Sequence, residues 1–129
     1  MNDPSCVFCK IVRGEIPASV VREGDHWLAI LDAHPKTEGH TLIISKKHFD
    51  SLFDIPSELA EELFVLMKDI ARKLLDEKYG EGFQIHMNNF PAAGQIVMHA
   101  HIHVLPRKKG DPTRVFPVWC GTQNGSGEI

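Results

Sequence analysis

The sequence predicts an α+β fold in which about five antiparallel strands form one sheet and a single long helix covers one of its faces. Three observations predict it. Residues 97–105 alternate without a break: His99, His101 and His103 hold one parity, Met98, Ala100, Ile102 and Val104 the other. That is the period of a strand, whose successive side chains point to opposite faces. Leu59, Leu63, Leu66, Met67, Ile70 and Leu74 recur at helical spacing and make one apolar stripe. Short apolar runs at 19–22, 26–31, 40–45 and 83–87, bounded by Gly, Asp, Asn or Pro, read as the remaining strands.

Composition sets the bounds. A chain of 129 residues makes one domain with its own core, at about 6–107, and an extension at 108–129. Apolar content of 43% and charge of 24% are those of a soluble globular protein. A net charge of −3 argues against nucleic acid as a partner, whose backbone calls for a basic face. The short cluster Arg107-Lys108-Lys109 reads as a solvated strand end. No apolar run has the length of a membrane span, and Met1-Asn2-Asp3-Pro4 does not open a signal peptide, so no membrane partner is expected. Three cysteines, an odd number, fit a reducing compartment better than a disulfide framework, and the expected location is the cytoplasm.

Taken in order, Cys6-Val7-Phe8-Cys9 comes first. A Cys-x-x-Cys can be half of a zinc site, a redox pair, or two incidental cysteines. A redox pair is expected near a βαβ unit, and none follows. A zinc site needs two more ligands, for which the chain offers eight histidines and Cys120. Glu23-Gly24-Asp25 is a hairpin turn between the first two strands. Asp32 ends the second strand and by itself reads as a turn former. The run from His40 to Ser45 is almost continuously apolar and therefore central. Residues 54–79 form the long helix: Pro56 suits its first turn, Glu58, Glu61 and Glu62 stand at its positive end, and Gly80 is placed to stop it. The pair Glu61-Glu62 reads as a solvated face. Asn88-Asn89 has the chemistry of a turn after the fourth strand.

On the fifth strand, alternation would set three imidazoles in a row, roughly 6.5–7 Å apart. Such a row can ligate a metal, or it can present a nucleophile between orienting and charge-stabilising neighbours. Gly94-Gln95 just before it adds a residue that lets backbone approach an anion and an amide that donates hydrogen bonds.

The segment from Ala93 to Arg107, with Ala-Gly-Gln leading into His-x-His-x-His, resembles the signature of the histidine triad (HIT) family. Gly14-Glu15-Ile16-Pro17-Ala18 and residues 29–48 are similar to the family's amino-terminal half, so the resemblance spans about 6–107. It implies a HIT-like fold and a homodimer with joined sheets. It implies nucleotidyl transfer to water, with His101 as nucleophile, His103 on the phosphoryl oxygens, and His99 orienting His101 through its carbonyl. It also implies that Asp32 accepts from ribose hydroxyls, that Asn88 and Gln95 bind the phosphate and its bridging oxygen, and that Phe8, Ile11, Ile16 and Ile30 surround the base. His40 matches a family position close to the triad. In members with the amino-terminal Cys-x-x-Cys, Cys6 and Cys9 are completed by His48 and His99 in a structural zinc site.

The implied substrate is a purine nucleoside phosphoramidate, with dinucleoside polyphosphates as the alternative. Two residues depart from the family pattern: Ile96 stands where a hydroxyl residue usually follows Gly-Gln, and Phe90 where a glycine is common. Two rival readings remain: a hydrolase whose catalytic zinc sits on the three histidines, and a nucleotide-binding scaffold dimer with little turnover. Val115-Phe116-Pro117-Val118-Trp119 suggests a segment that docks on a partner or on the chain's own body.

Overall fold

The computed structural model describes residues 3–111. The apolar pentad at 115–119, Cys120 and most of the extension lie outside the described residues. A short helix α1 (Val7–Val12) is followed by strands β1 (Val20–Glu23), β2 (Trp27–Leu31) and β3 (Thr41–Ser45), then the long helix α2 (Ala60–Asp76) and strands β4 (Gly82–His86) and β5 (His101–Arg107). The five strands form one antiparallel sheet in the order β1-β2-β3-β5-β4. The predicted α+β architecture is therefore what the chain adopts. The sequence offered no sign of α1, whose six residues are too few to show a helical stripe.

Both faces of the sheet are covered, which is why all five residues of β3 are buried. On one face Trp27, Ala29, Ile43, Ile102 and Val104 pack against Leu66, Ile70, Ala71 and Leu74 of α2. On the other, Leu28, Ile30, Leu42 and Ile44 pack under Phe8 of α1, with Ile11, Val12 and Val97 at the margin. In the β3–β5 ladder Ile44 is opposite His101 and Leu42 opposite His103. Opposite residues share a face. The two imidazoles thus belong to the face covered by α1.

Around the long helix three details differ from the sequence-based expectation. The helix predicted over 54–79 begins later, at Ala60, after two 3₁₀ turns (Leu52–Asp54 and Ser57–Leu59). Pro56 caps the second of them in an extended conformation (ψ 138°) instead of entering the helix. The helix ends not at Gly80 but through Lys78, whose φ is +69°, while Lys78 N donates to Leu75 O and Tyr79 N to Leu74 O. Gly80 answers a different need. A Cβ there would lie 2.7 Å from Arg107 N and 2.8 Å from Arg107 O, so only glycine lets the turn pass the end of β5.

Strand β5 begins at His101, so the alternating run does not form one strand from 97 to 105. Ala100 N donates to Phe49 O (2.6 Å) and His99 N to Val97 O (2.8 Å), which turns the backbone out of the ladder ahead of His101. Met98 consequently does not join the apolar strip and is 37% exposed, whereas Ala100, Ile102 and Val104 are buried.

Glu62 is no part of a solvated face. Its Oε2 accepts from His26 N (2.8 Å) and Trp27 N (3.1 Å), and its Oε1 accepts from His26 Nδ1 (2.9 Å). One carboxylate therefore ties the β1–β2 hairpin to α2, next to the bond from Trp27 Nε1 to Leu59 O (3.1 Å). Burial opposes ionisation, but the donors from His26 and Trp27 prevail and hold the Glu62 pKa below its usual value. A depressed carboxyl pKa contributes stability above the unfolded value of about 4.3 that is lost as pH falls through the folded value. Glu62→Gln is expected to cost about 1–2 kcal/mol at pH 7 by urea denaturation. The deficit should shrink as pH falls through the lowered folded pKa of Glu62; a deficit that is the same at every pH down to acid unfolding would assign the effect to shape and not to charge.

Candidate active site

The geometry around β5 follows from where the backbone leaves the ladder. His99 lies ahead of the strand, and its carbonyl accepts from His101 Nδ1 (2.7 Å). An imidazole that donates through Nδ1 carries its lone pair on Nε2. His101 is 7% exposed, and the Phe8 ring stands edge-on to it at 5.1 Å. Burial lowers its pKa; the bond to the His99 carbonyl and the charge of Asp32 resist. His101 is thus a neutral imidazole with an available ring nitrogen.

His103 has the opposite polarity. Lys36 N donates to His40 Nδ1 (3.1 Å), so the proton of the neutral His40 ring is on Nε2. That nitrogen lies 2.9 Å from His103 Nδ1 and 3.4 Å from Asp32 Oδ2. His103 Nδ1 accepts, which leaves His103 with its proton on Nε2. Burial, then the neighbouring charges of His101 and His40, push the His103 pKa down to about 3. Burial likewise lowers that of His40, against the pull of Asp32. The rings of His101 and His103 are 5.1 Å apart at 70°. One carries a lone pair on Nε2, the other a proton on Nε2.

His99 takes part with its side chain elsewhere. Its Nδ1 stands 3.2 Å from Cys6 Sγ and 3.5 Å from Cys9 Sγ, and His48 Nδ1 is 3.3 Å from Cys9 Sγ. All four donor atoms lie within 4.8 Å of one another. A tetrahedral site with metal–sulfur bonds of about 2.3 Å and metal–nitrogen bonds of about 2.0–2.1 Å has sulfur–nitrogen edges of roughly 3.5 Å, so the donor set fits. The outer nitrogens are also engaged: His99 Nε2 donates to Ser45 O (2.7 Å) and His48 Nε2 to Asp50 Oδ1 (2.8 Å). Such partners would fix which ring nitrogen faces an ion bound there. Burial is the main reason the His99 pKa falls to about 4, which keeps the ring available as a neutral ligand. The cluster Asp32, His40 and His103 also brings three donors together, but the proton on His40 Nε2 disqualifies it as a second metal site. A single catalytic ion on all three triad histidines is equally at odds with rings aimed at three different partners.

The remaining sequence-predicted residues divide. Phe8, Ile11 and Ile30 cluster beneath the imidazole face, while Ile16 is half-buried in the loop leaving α1, outside that cluster. Asp32 is half-buried, its Oδ1 accepting from His34 N (2.8 Å). Asn88 stands beside Gly94, where a Cβ would lie 3.5 Å from Asn88 Nδ2. Gln95 is buried, with its amide committed to the backbone: Oε1 accepts from Phe90 N (2.6 Å), and Nε2 donates to Asp50 O (2.7 Å) and Val97 O (3.0 Å). Sequence reasoning passed over Lys36, Ser45 and Asp50. Only Asp50 carried any signal, as an acid two residues beyond a candidate ligand.

Fold and site together define a small α+β domain that sets two oppositely polarised imidazoles beside a Cys₂His₂ cluster. The HIT domain family matches residues 13–110, and the chain belongs to that family. An uncharacterised HIT-like protein of Methanocaldococcus jannaschii is 43% identical over 82% of this chain and 81% of its own length. An adenylylsulfatase of Arabidopsis thaliana is 40% identical over 82% of this chain but 54% of its own length. An adenosine 5′-monophosphoramidase of Candida albicans is 39% identical, covering 81% and 71%. Among solved structures, a HIT-family protein from Bacillus subtilis superposes with a TM-score of 0.81 at 40% identity, covering 95% of this chain and 85% of that one. A zinc-bound histidine triad protein from Mycobacterium smegmatis reaches 0.79 at 41% identity, covering 88% and 84%.

Complete chelation of the Cys₂His₂ ion is expected to lower the melting temperature, since binding free energy at such a site is folding free energy. Asp50→Asn should weaken zinc affinity roughly 10–100-fold, measured by competition with a chromogenic chelator. An unchanged melting temperature after chelation would contradict a structural ion.

Proposed function

We propose that the protein is a nucleotide hydrolase that cleaves a purine nucleoside 5′-phosphoramidate at its phosphorus through a nucleotidyl-histidine intermediate. The observation that carries this reading is the opposed polarity of the two imidazoles. His101 Nε2 attacks phosphorus as the phosphorus–nitrogen bond breaks, and the leaving nitrogen takes a proton from solvent and departs as the amine. A water molecule then attacks phosphorus, displaces His101 and gives up a proton to solvent, leaving the nucleoside monophosphate. Splitting one displacement into two eases each. His103 Nε2–H donates to a phosphoryl oxygen as charge develops, a term that a buried, preorganised donor supplies best. Asp32 at the end of β2 accepts from the ribose hydroxyls, with Phe8, Ile11, Ile16 and Ile30 against the base and Asn88 toward the phosphate. Gln95 shapes the phosphate loop through the backbone of Phe90 and Val97.

Two relatives with named activities, an adenylylsulfatase and an adenosine 5′-monophosphoramidase, support this class of reaction. Ile96 is 92% exposed and brings no hydroxyl to the leaving group. Turnover should therefore depend steeply on how well that group leaves. Dinucleoside polyphosphates are the second candidate substrates. Cys6, Cys9, His48 and His99 hold zinc, which when bound supplies no reacting group: with four protein donors it has no open position. Its service is to anchor His99, whose carbonyl orients His101.

A second copy is proposed to pair along β4. That strand is an edge of the sheet and leaves Phe83 and Ile85 exposed on one of its sides. Light scattering should then report twice the 14.5 kDa chain mass, and a monomer at micromolar concentration would contradict the pairing.

The function is tested with a fluorogenic adenosine phosphoramidate. His101→Ala is expected to lower turnover by about 10³-fold or more, while adenosine monophosphate still binds. Acid-labile adenylate should be trapped on His101 of the wild type by rapid quench. Turnover at the native rate by the alanine variant would overturn the proposal, and equally low turnover by both proteins would favour a binding scaffold.

A further inference from the structure

Cys6 and Cys9 have the spacing of a zinc-binding pair, and the same spacing brings the two sulfurs within reach of each other. Cys6 is the N-cap of α1 and Cys9 lies in its first turn, with Cys9 N donating to Cys6 Sγ (3.4 Å). Residues three apart on a helix have Cα atoms about 5 Å apart, inside the range of roughly 4.4–6.8 Å that a disulfide accepts. The two sulfurs are already within 4.8 Å. Closure needs only side-chain rotation, provided the ion leaves. Access is unequal: Cys6 is half-buried and Cys9 fully buried, so a small oxidant meets Cys6 first.

The same helix reaches the imidazoles. Phe8, between the two cysteines, packs edge-on against both His99 (5.6 Å) and His101 (5.1 Å). The Cys6–His99 contact bears on the residue whose carbonyl orients His101. A change in the sulfur pair therefore reaches His101 by two routes, one through Phe8 and one through the backbone of His99.

We propose that Cys6 and Cys9 form a reversible, peroxide-sensitive disulfide whose closure expels the bound divalent ion and lowers turnover at His101. The Cys6 thiolate attacks hydrogen peroxide, giving a sulfenic acid and hydroxide. The Cys9 thiolate then attacks that sulfur and expels a second hydroxide. Two electrons pass from the thiolates to the peroxide, two protons convert the hydroxides to water, and the ion departs with its oxidation state unchanged. A thiol reductant and fresh metal restore the reduced site.

The test uses the full-length, zinc-loaded protein carrying Cys120→Ser, so that the pair holds the only thiols. Hydrogen peroxide is added in the presence of a chromogenic zinc chelator. The expected result is one zinc released per chain, loss of both thiols, and a tryptic peptide from Met1 to Lys10 lighter by two hydrogen atoms. Dithiothreitol with zinc should reverse all three. Retention of zinc at peroxide levels that oxidise a free thiol would overturn the proposal, as would oxygen addition to that peptide in place of the disulfide.

The turnover arm rests on the nucleotidyl-transfer reading. Oxidation is expected to lower phosphoramidate turnover by about tenfold, the size of effect that outer-sphere partners of metal sites exert. Zinc release with unchanged turnover would overturn the coupling to His101. An inactive reduced enzyme would instead contradict the proposed function, while the zinc and mass measurements would still decide the disulfide.

Discussion

The bond from His101 Nδ1 to the carbonyl of His99 is the constraint on which the rest of the site depends. It can form only if residue 99 stands outside the β5 ladder, since a carbonyl inside the ladder would face a neighbouring strand. Holding residue 99 there takes several contacts. Ala100 N bonds to Phe49 O, His99 Nε2 to Ser45 O, and His99 Nδ1 faces the two sulfurs. One histidine thus serves two sites, with its backbone in one and its ring in the other.

A second chain of contacts sets the polarity of His103. It begins at the Lys36 amide, passes through His40, and ends at His103 Nδ1. Neither chain needs a charged imidazole, and burial favours the neutral rings that both require. Covering the imidazole face with α1 therefore does more than exclude water. It keeps the lone pair of His101 free at neutral pH and brings Phe8 against it.

The loop ahead of the triad shows what departures from a family pattern mean physically. Phe90 has φ +74° and ψ 155°, a conformation that glycine adopts without penalty and that costs other residues about 1–3 kcal/mol. It is the position where the family resemblance leads to an expectation of glycine. The strain is held by Gln95, whose Oε1 accepts from Phe90 N, and the ring lies 6.0 Å from Phe53. The aromatic ring thus sits at the turn ahead of the triad, in the same loop as an exposed Ile96 whose side chain carries no hydroxyl.

Much of this was legible in the chain itself. Alternation placed His101 and His103 on one strand face, the helical stripe of α2 was correct in its buried residues, and β3 was recognisable as central because it is apolar at both parities. These are properties of local period, and a strand or helix expresses its period wherever it packs. What only the tertiary structure decided depends on approach between distant segments. The unbroken pattern at 97–105 concealed the departure of His99, because a hydrogen bond to Phe49 is invisible to a period of two. Glu62 looked like solvated charge until the β1–β2 hairpin arrived beside it, and Gly80 looked like a helix stop until the end of β5 passed within reach. The residue types of the site were written in the sequence. The protonated edge of each imidazole was not, because that is set by whichever backbone group or ring the fold brings against it.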